Sequence, residues 1–230
     1  PHFCYVDDGL KYAHFDGNEW EKRTITSTVD ISGGCSIAVD GFGVPHITFI
    51  EYVDSDYDLY YVNGEDWMPI KIEENIAIPE ENSSSIAVDS NNHPHVSFLY
   101  YDGSESAFGY LTYDGVEWSR NLYEQWDYGT GNTSIAVDAN DKVHMIFNGN
   151  FGLSMDELYY YVFDAGIIEE QHQFDMPNTI YTSVDVDNAG KPHITYTNKN
   201  KSSLEYITKE NGEWTYQEGG TIIDFSAGAG

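Results

Sequence analysis

Positive charge is what this chain most lacks. Its 230 residues carry 10 Lys and Arg against 39 Asp and Glu, a formal net charge of -29. Such a surface repels phosphate backbones and anionic head groups, so neither nucleic acid nor a membrane surface is an expected partner. Only two arginines are present, Arg23 and Arg120. No apolar run approaches the roughly 18 residues that a bilayer span requires, and membrane insertion is not expected. The opening residues Pro1 to Tyr5 do not read as a signal peptide, so any export signal would lie outside this stretch. Two cysteines, Cys4 and Cys35, cannot build a disulfide framework. A single bridge between them is conceivable, but two buried free thiols are the expectation.

What is abundant is apolar and aromatic. Hydrophobic residues make up 40% of the chain, with 19 Tyr, 11 Phe and 5 Trp, enough to bury a sizeable core. They are arranged in a repeat of about fifty residues. The phrase Ser-Ile-Ala-Val-Asp recurs at Ser36–Asp40, Ser85–Asp89 and Ser134–Asp138, and as Ser-Val-Asp-Val-Asp at Ser183–Asp187. Each copy is followed by a His opening an alternating run. Those histidines, His2, His46, His95, His144 and His193, are spaced 44, 49, 49 and 49 residues apart.

Strict alternation after each His, as in His46-Ile47-Thr48-Phe49, is the period-two signature of a strand. A third strand carries Leu or Phe two before Tyr: Leu10/Tyr12, Leu59/Tyr61, Phe108/Tyr110, Leu158/Tyr160 and Leu204/Tyr206. It ends in a turn dipeptide such as Asp16-Gly17 or Asn63-Gly64, which supplies positive φ for a hairpin, and a Trp follows. The fourth copy departs, with Ala165-Gly166 and Ile168 in place of the Trp.

Each copy is therefore a four-stranded antiparallel meander with two apolar faces that it cannot cover alone. Stacking copies radially covers both. The expected fold is all-β, a single five-bladed β-propeller domain. Its blades fall at about 1–28 with 220–230, then 34–76, 83–124, 132–174 and 181–219. The chain opens on a second strand, and its tail, from Thr221, reads like the missing first strand of blade one. The ring is accordingly expected to close by pairing of the C-terminal strand with the N-terminal blade, which removes an exposed edge.

A residue needed in every blade serves packing, so the five histidines read as scaffold, hydrogen-bonded to neighbouring strands, rather than as a metal ring. The aspartates Asp40, Asp89, Asp138 and Asp187 read as turn formers. Function is sought where blades differ, in loops at one mouth of the channel. Asp185 stands where other copies have Ala38, Ala87 and Ala136; a partner cation, a ligand or channel water would satisfy it. The segments entering the inner strands bring hydroxyl and amide groups suited to sugar or peptide, giving Asn82, Ser83, Asn132 and Tyr181 as candidate ligand-binding residues. Trp126 and Phe151 are candidate loop aromatics for partner contact. Asp54, Asp56 and Asp58, at alternate positions with Glu65 eleven after the first, echo a calcium loop, although Leu59 stands where its glycine would be. They are the candidate calcium ligands; a solvated hairpin tip is the other reading.

The phrases Ser-Ile-Ala-Val-Asp, Pro-His-Ile-Thr-Phe and Leu-Tyr-Tyr resemble the repeats of secreted bacterial and archaeal propellers related to the sialidase-like group. That resemblance implies the fold and an extracellular or cell-surface location. It does not imply sialidase activity, since the arginine triad that holds the substrate carboxylate cannot be built from two arginines, and the group's Asp-box turn is missing. The reading is a binding propeller, a monomer that recognises carbohydrate or protein. The alternative is a glycoside hydrolase of the five-bladed arabinanase- or invertase-like type, with carboxylates converging at the channel mouth.

Overall fold

The computed structural model describes the chain except residues 29, 78–82, 102–103, 105, 127–130, 150–156, 177–178, 199, 201–202, 217–222 and 225–230, and the side chains of 124–126 and 223–224. The described residues form strands alone, in five antiparallel sheets arranged as the blades of a β-propeller. Blade one holds β1 (His2–Val6), β2 (Leu10–Phe15) and β3 (Trp20–Thr26). Blade two holds β4 (Ile31–Val39), β5 (Pro45–Val53), β6 (Asp56–Asn63) and β7 (Ile70–Glu73). Blade three holds β8 (Ser84–Val88), β9 (Pro94–Tyr101), β10 (Ser106–Tyr113) and β11 (Trp118–Trp126). Blade four holds β12 (Gly131–Val137), β13 (Val143–Gly149), β14 (Glu157–Asp164) and β15 (Ile167–Phe174). Blade five holds β16 (Thr179–Val186), β17 (Pro192–Asn198), β18 (Ser203–Glu210) and β19 (Glu213–Tyr216), with β20 (Ile223–Asp224) also paired to β18.

Four blades thus have all four strands in meander order, and blade one has three among the described residues. Inner strands neighbour one another in chain order, β4 against β8, β8 against β12 and β12 against β16, with β1 against β4. Among the described residues no element contact of comparable extent joins blade five to blade one. The tail departs from expectation in its described part. Ile223 and Asp224 pair with Leu204 and Ser203 on the outer edge of blade five rather than with β1; residues 225–230 lie outside the described residues.

The core consists of four apolar slabs between successive blades. Leu59 and Tyr61 of blade two, for example, meet Ile86, Val96 and Phe98 of blade three. Alternation decides this division: successive side chains point to opposite faces, so each strand feeds one slab with its odd positions and the next with its even ones. The outer-strand Trp packs against the third-strand Tyr of the preceding blade, with ring centroids 4.8 Å apart for Tyr12–Trp67, 5.1 Å for Tyr61–Trp118 and 4.9 Å for Tyr160–Trp214. In blade four, which lacks that Trp, Phe163 meets Tyr110 at 5.1 Å.

The expectation of two free thiols is overturned. Cys4 on β1 and Cys35 on β4 are joined by a disulfide, with Cα atoms 6.2 Å apart. Cys4 occupies the register position of Thr48, on the face of β1 turned toward blade two. The bond therefore crosses the first slab, alongside Leu10, Tyr12 and Phe49.

The Ser and the closing Asp of the repeated phrase, and the His that follows, have work in the scaffold. The Ser hydroxyls bridge blades: Ser36 Oγ accepts from the Ile86 amide at 3.2 Å, Ser85 Oγ from Ile135 at 3.3 Å and Ser134 Oγ from Val184 at 3.2 Å. The closing Asp caps its turn, Asp40 Oδ1 accepting from the amides of Phe42 and Val44 at 2.9 and 2.8 Å. Asp89, Asp138 and Asp187 do the same. Each His Nδ1 lies 2.5–2.6 Å from a third-strand Tyr hydroxyl, in the pairs His2–Tyr12, His46–Tyr61, His95–Tyr110, His144–Tyr160 and His193–Tyr206. In blades two to five the His Nε2 faces the turn Asp at 3.5–3.7 Å. A carboxylate there favours the Nε2–H tautomer, which leaves Nδ1 to accept from the Tyr hydroxyl.

Candidate functional site

Antiparallel order places the segments entering the inner strands at one end of the channel, together with the hairpin tips between second and third strands. The Asp turns lie at the other end. Two inner strands carry a bulge at their upper ends, Gly33-Gly34 in blade two and Tyr181-Thr182 in blade five. Gly33 and Gly34 adopt φ of 72° and 79° without strain, having no Cβ. Tyr181 adopts φ of 50°, an uncommon conformation for an aromatic residue.

What holds Tyr181 there is a buried amide network between blades four and five. Asn132 Oδ1 accepts from the Tyr181 amide at 3.0 Å, Asn148 Oδ1 accepts from the Asn132 amide at 2.9 Å, and Asn148 Nδ2 donates to the Thr179 carbonyl at 2.7 Å. Asn132, Asn148 and Thr179 are buried, whereas Tyr181 is 49% exposed. The result is a Tyr181 backbone anchored on buried amides, with its side chain partly exposed at that end of the inner strand. A backbone anchored on buried hydrogen bonds fixes where the side chain leaves the strand, which lowers the ordering cost of binding.

The sequence candidates divide accordingly. Asn132 and Tyr181 come together, one as support and the other as surface. Ser83 is buried, its carbonyl accepting from the Leu99 amide at 3.2 Å, and it belongs to the scaffold of blade three. Asn82 and Phe151 lie outside the described residues, as does the side chain of Trp126, whose backbone ends β11 opposite Ser106. Asp185 is exposed on β16, its Oδ1 accepting from the Val186 amide at 2.8 Å. Its face is the one on which Ala38, Ala87 and Ala136 meet the following blade, so it looks out from the end of the blade series. Asp54, with Ser55, makes the left-handed turn between β5 and β6. Asp56 and Asp58 share one face of β6, and Asp58 is buried with Lys71 Nζ at 3.3 Å. Among the described residues no group of three or more His, Cys, Asp or Glu side chains is placed to hold a metal ion.

Asn148 was not among the sequence candidates, yet its signal was legible. At the 49-residue period it takes the place of Ile50 and Leu99, an amide replacing an aliphatic side chain in a slab. Glu73 was also not singled out. Burial raises its pKa above the ordinary carboxylate range despite Arg120 Nε at 2.6 Å. It sits on outer strand β7, away from the mouth, and its ion pair also fixes Arg120 over the Tyr100 ring at 5.0 Å.

No protein-family model and no curated protein matches the chain. Among solved structures it is similar to the Hadza microbial sialidase Hz136, with a TM-score of 0.59 at 12% identity over 83% of this chain and 47% of that one. It therefore spans about half of that sialidase. It is also similar to the six-bladed lectin of Aleuria aurantia described for its fucose recognition mode, with a TM-score of 0.58 at 11% identity over 92% of this chain and 71% of the lectin. SapL1 lectin, solved in complex with alpha methyl fucoside, aligns with a TM-score of 0.57 at 11% identity over 94% and 75% of the two chains. Likeness at these identities shows a common propeller fold.

Proposed function

We propose that this protein is a carbohydrate-binding propeller that takes its ligand at the mouth between blades four and five. The observation that carries this reading is Tyr181, an aromatic side chain in a left-handed conformation, fixed from below by Asn132, Asn148 and Thr179 and open to solvent above. A sugar ring presents an apolar C–H face that stacks on such a platform, while its hydroxyls exchange hydrogen bonds with nearby amides and hydroxyls. The two fucose-linked lectins lend support at the level of fold. The acidic surface favours neutral saccharides over anionic ones. A disulfide across the first slab and the strongly acidic composition suit an extracellular or cell-surface setting.

Titration with alpha methyl fucoside and a panel of neutral oligosaccharides, read by melting temperature and calorimetry, tests the proposal. A saccharide that raises Tm in the native protein is expected to lose at least tenfold in affinity, about 1.4 kcal/mol, in Tyr181→Ala. The Tm of the unliganded variant should change by no more than a degree or two, because the ring is exposed. A panel without any binder, or a Tyr181→Ala variant with undiminished affinity, would sink the assignment.

A further inference from the structure

The tryptophans that pack on a Tyr of the preceding blade do not all keep the same company. The Arg23 guanidinium of blade one lies 4.8 Å from the centre of the Trp67 ring, and Lys209 Nζ of blade five lies 5.5 Å from that of Trp214. Each base comes from a definite register position. Arg23 stands opposite Tyr12, on the outer strand of the blade before its Trp. Lys209 stands opposite Trp214 itself, on the third strand of the same blade. At the boundary of blades two and three, Ile70 opposite Tyr61 takes the place of Arg23, and Tyr113 opposite Trp118 takes that of Lys209. Trp118 therefore has an aliphatic and an aromatic side chain at the two positions from which this chain elsewhere supplies a cation.

A cavity of about 370 Å³ lies at this boundary, lined by Tyr61, Tyr113, Trp118 and Ile70 and by two exposed carboxylates, Asp66 and Glu117. That volume falls in the range of small-ligand clefts, about 300–1,000 Å³. Its three rings are set at angles to one another: Tyr61 meets Trp118 edge-on with centroids 5.1 Å apart, and Tyr113 meets it tilted at 5.4 Å. No Lys, Arg or His is among the described residues that line it. The bases of the two outer strands, Lys71 and Arg120, line a separate concavity with Trp118 and are held by Asp58 at 3.3 Å and Glu73 at 2.6 Å. Antiparallel order puts these hairpin tips between third and fourth strands at the end that carries the Asp turns, away from Tyr181.

We propose that this cavity binds a small quaternary ammonium ion such as choline, in the place where Arg23 and Lys209 serve the other tryptophans. Aromatic faces attract a cation through the ring quadrupole, most strongly where water is displaced. The methyl groups of a quaternary nitrogen match walls made of rings and Ile70, and they need no hydrogen-bond acceptor there. A primary ammonium is strongly hydrated and brings three donors to satisfy, which suits this lining less. Asp66 and Glu117, on a chain of net charge -29, favour a positive ligand and oppose one that also carries phosphate. The site does not depend on the saccharide reading at the mouth.

Calorimetric titration with choline in about 0.15 M salt, where diffuse attraction to the acidic surface is screened, tests the proposal. The native protein should bind choline. The uncharged isostere, in which a tert-butyl group replaces the trimethylammonium, should bind at least about tenfold more weakly, and phosphocholine should also bind more weakly than choline. Ile70→Arg gives Trp118 the cation that blade one gives Trp67. Because Ile70 is 48% exposed, this variant should keep its Tm while losing at least about tenfold in choline affinity. Trp118→Leu should lose as much, and Tyr181→Ala should bind choline as the native protein does, so that this site and the mouth are read separately. No choline binding, equal affinity for the uncharged isostere, tighter binding of phosphocholine, or undiminished choline affinity in Ile70→Arg would each overturn the proposal.

Discussion

The interior interfaces and the two ends of the blade series use one repeat to opposite effect. Between blades two and five the His, Asp and Tyr of each blade are sealed by the next: the side chains of His46, His95 and His144, and of their partners Asp40, Asp89 and Asp138, are 5–10% exposed. In blade five the same pair, His193 and Asp187, is 36% and 41% exposed. The blade has adapted to that openness. Asp185 replaces an alanine, and Thr197 stands where Ile50 and Leu99 stand in earlier copies. Blade one instead carries apolar residues, Phe3 and Trp20, partly exposed on its other side. A residue that is scaffold when covered becomes ordinary surface where no described residue covers it, so a repeat position has no energetic meaning apart from its interface.

Moving the carboxylate inward should break the comparison most sharply. Ala136→Asp places the side chain of Asp185 inside the slab between blades four and five and should destabilise by about 3–5 kcal/mol, since an unpaired buried charge has no water to solvate it. Asp185→Ala, its mirror image, should stay within about 0.5 kcal/mol of the native protein. Chemical denaturation of both variants measures the contrast, and similar losses in the two would contradict the exposure of Asp185.

The disulfide ranks next. Cys4 and Cys35 are 31 residues apart, and closing a loop of that size is worth about 3–4 kcal/mol through the unfolded state. Reduction, or replacement of both cysteines by serine, should lower Tm by several degrees. The loss should centre on blade one, which among the described residues has no comparable contact with blade five. Exchange of blades three and four at an unchanged rate would confirm that the bond acts locally.

Acid should expose the buried histidines. Burial holds His46, His95 and His144 below the ordinary imidazole value of 6.5, against the opposing pull of their aspartates. A folded pKa below the unfolded one means that the unfolded chain binds protons more readily, so stability is full above about pH 6.5 and declines as pH falls below it. Asp40, Asp89 and Asp138 continue the loss at lower pH. Burial would raise them, but turn amides and the facing His outweigh it and leave them below the usual carboxylate value. Three such histidines can contribute up to about 4 kcal/mol per pH unit while they titrate. Scanning calorimetry from pH 8 to pH 5 should show a level Tm and then a fall, shallower in His144→Gln. A level Tm down to pH 5 would refute this account.

The architecture was legible because a repeat displays its own periodicity. The 49-residue spacing, the alternation after each His and the turn dipeptides specified strands, meanders and their number. The site was legible only in part. Tyr181 and Asn132 could be picked as departures, but the sequence does not show which of them faces water. That depends on the bulge at Tyr181-Thr182 and on Asn148, forty-nine residues after Leu99 and across a blade boundary from Tyr181. The thiols were misjudged for the same reason. Whether Cys4 and Cys35 lie within bonding distance is set by the stacking of two blades, not by either strand alone.

By itself, then, the sequence determined the blades, since hydrophobic alternation and turn chemistry act over neighbouring residues and are written along the chain. Tertiary structure decided the pairings between blades: the Cys4–Cys35 bond, the serine bridges, the orientation of Tyr181 and the exposure of Asp185. These depend on which faces meet across a slab, and distances of a few ångströms between residues tens of positions apart are fixed only once the blades have packed.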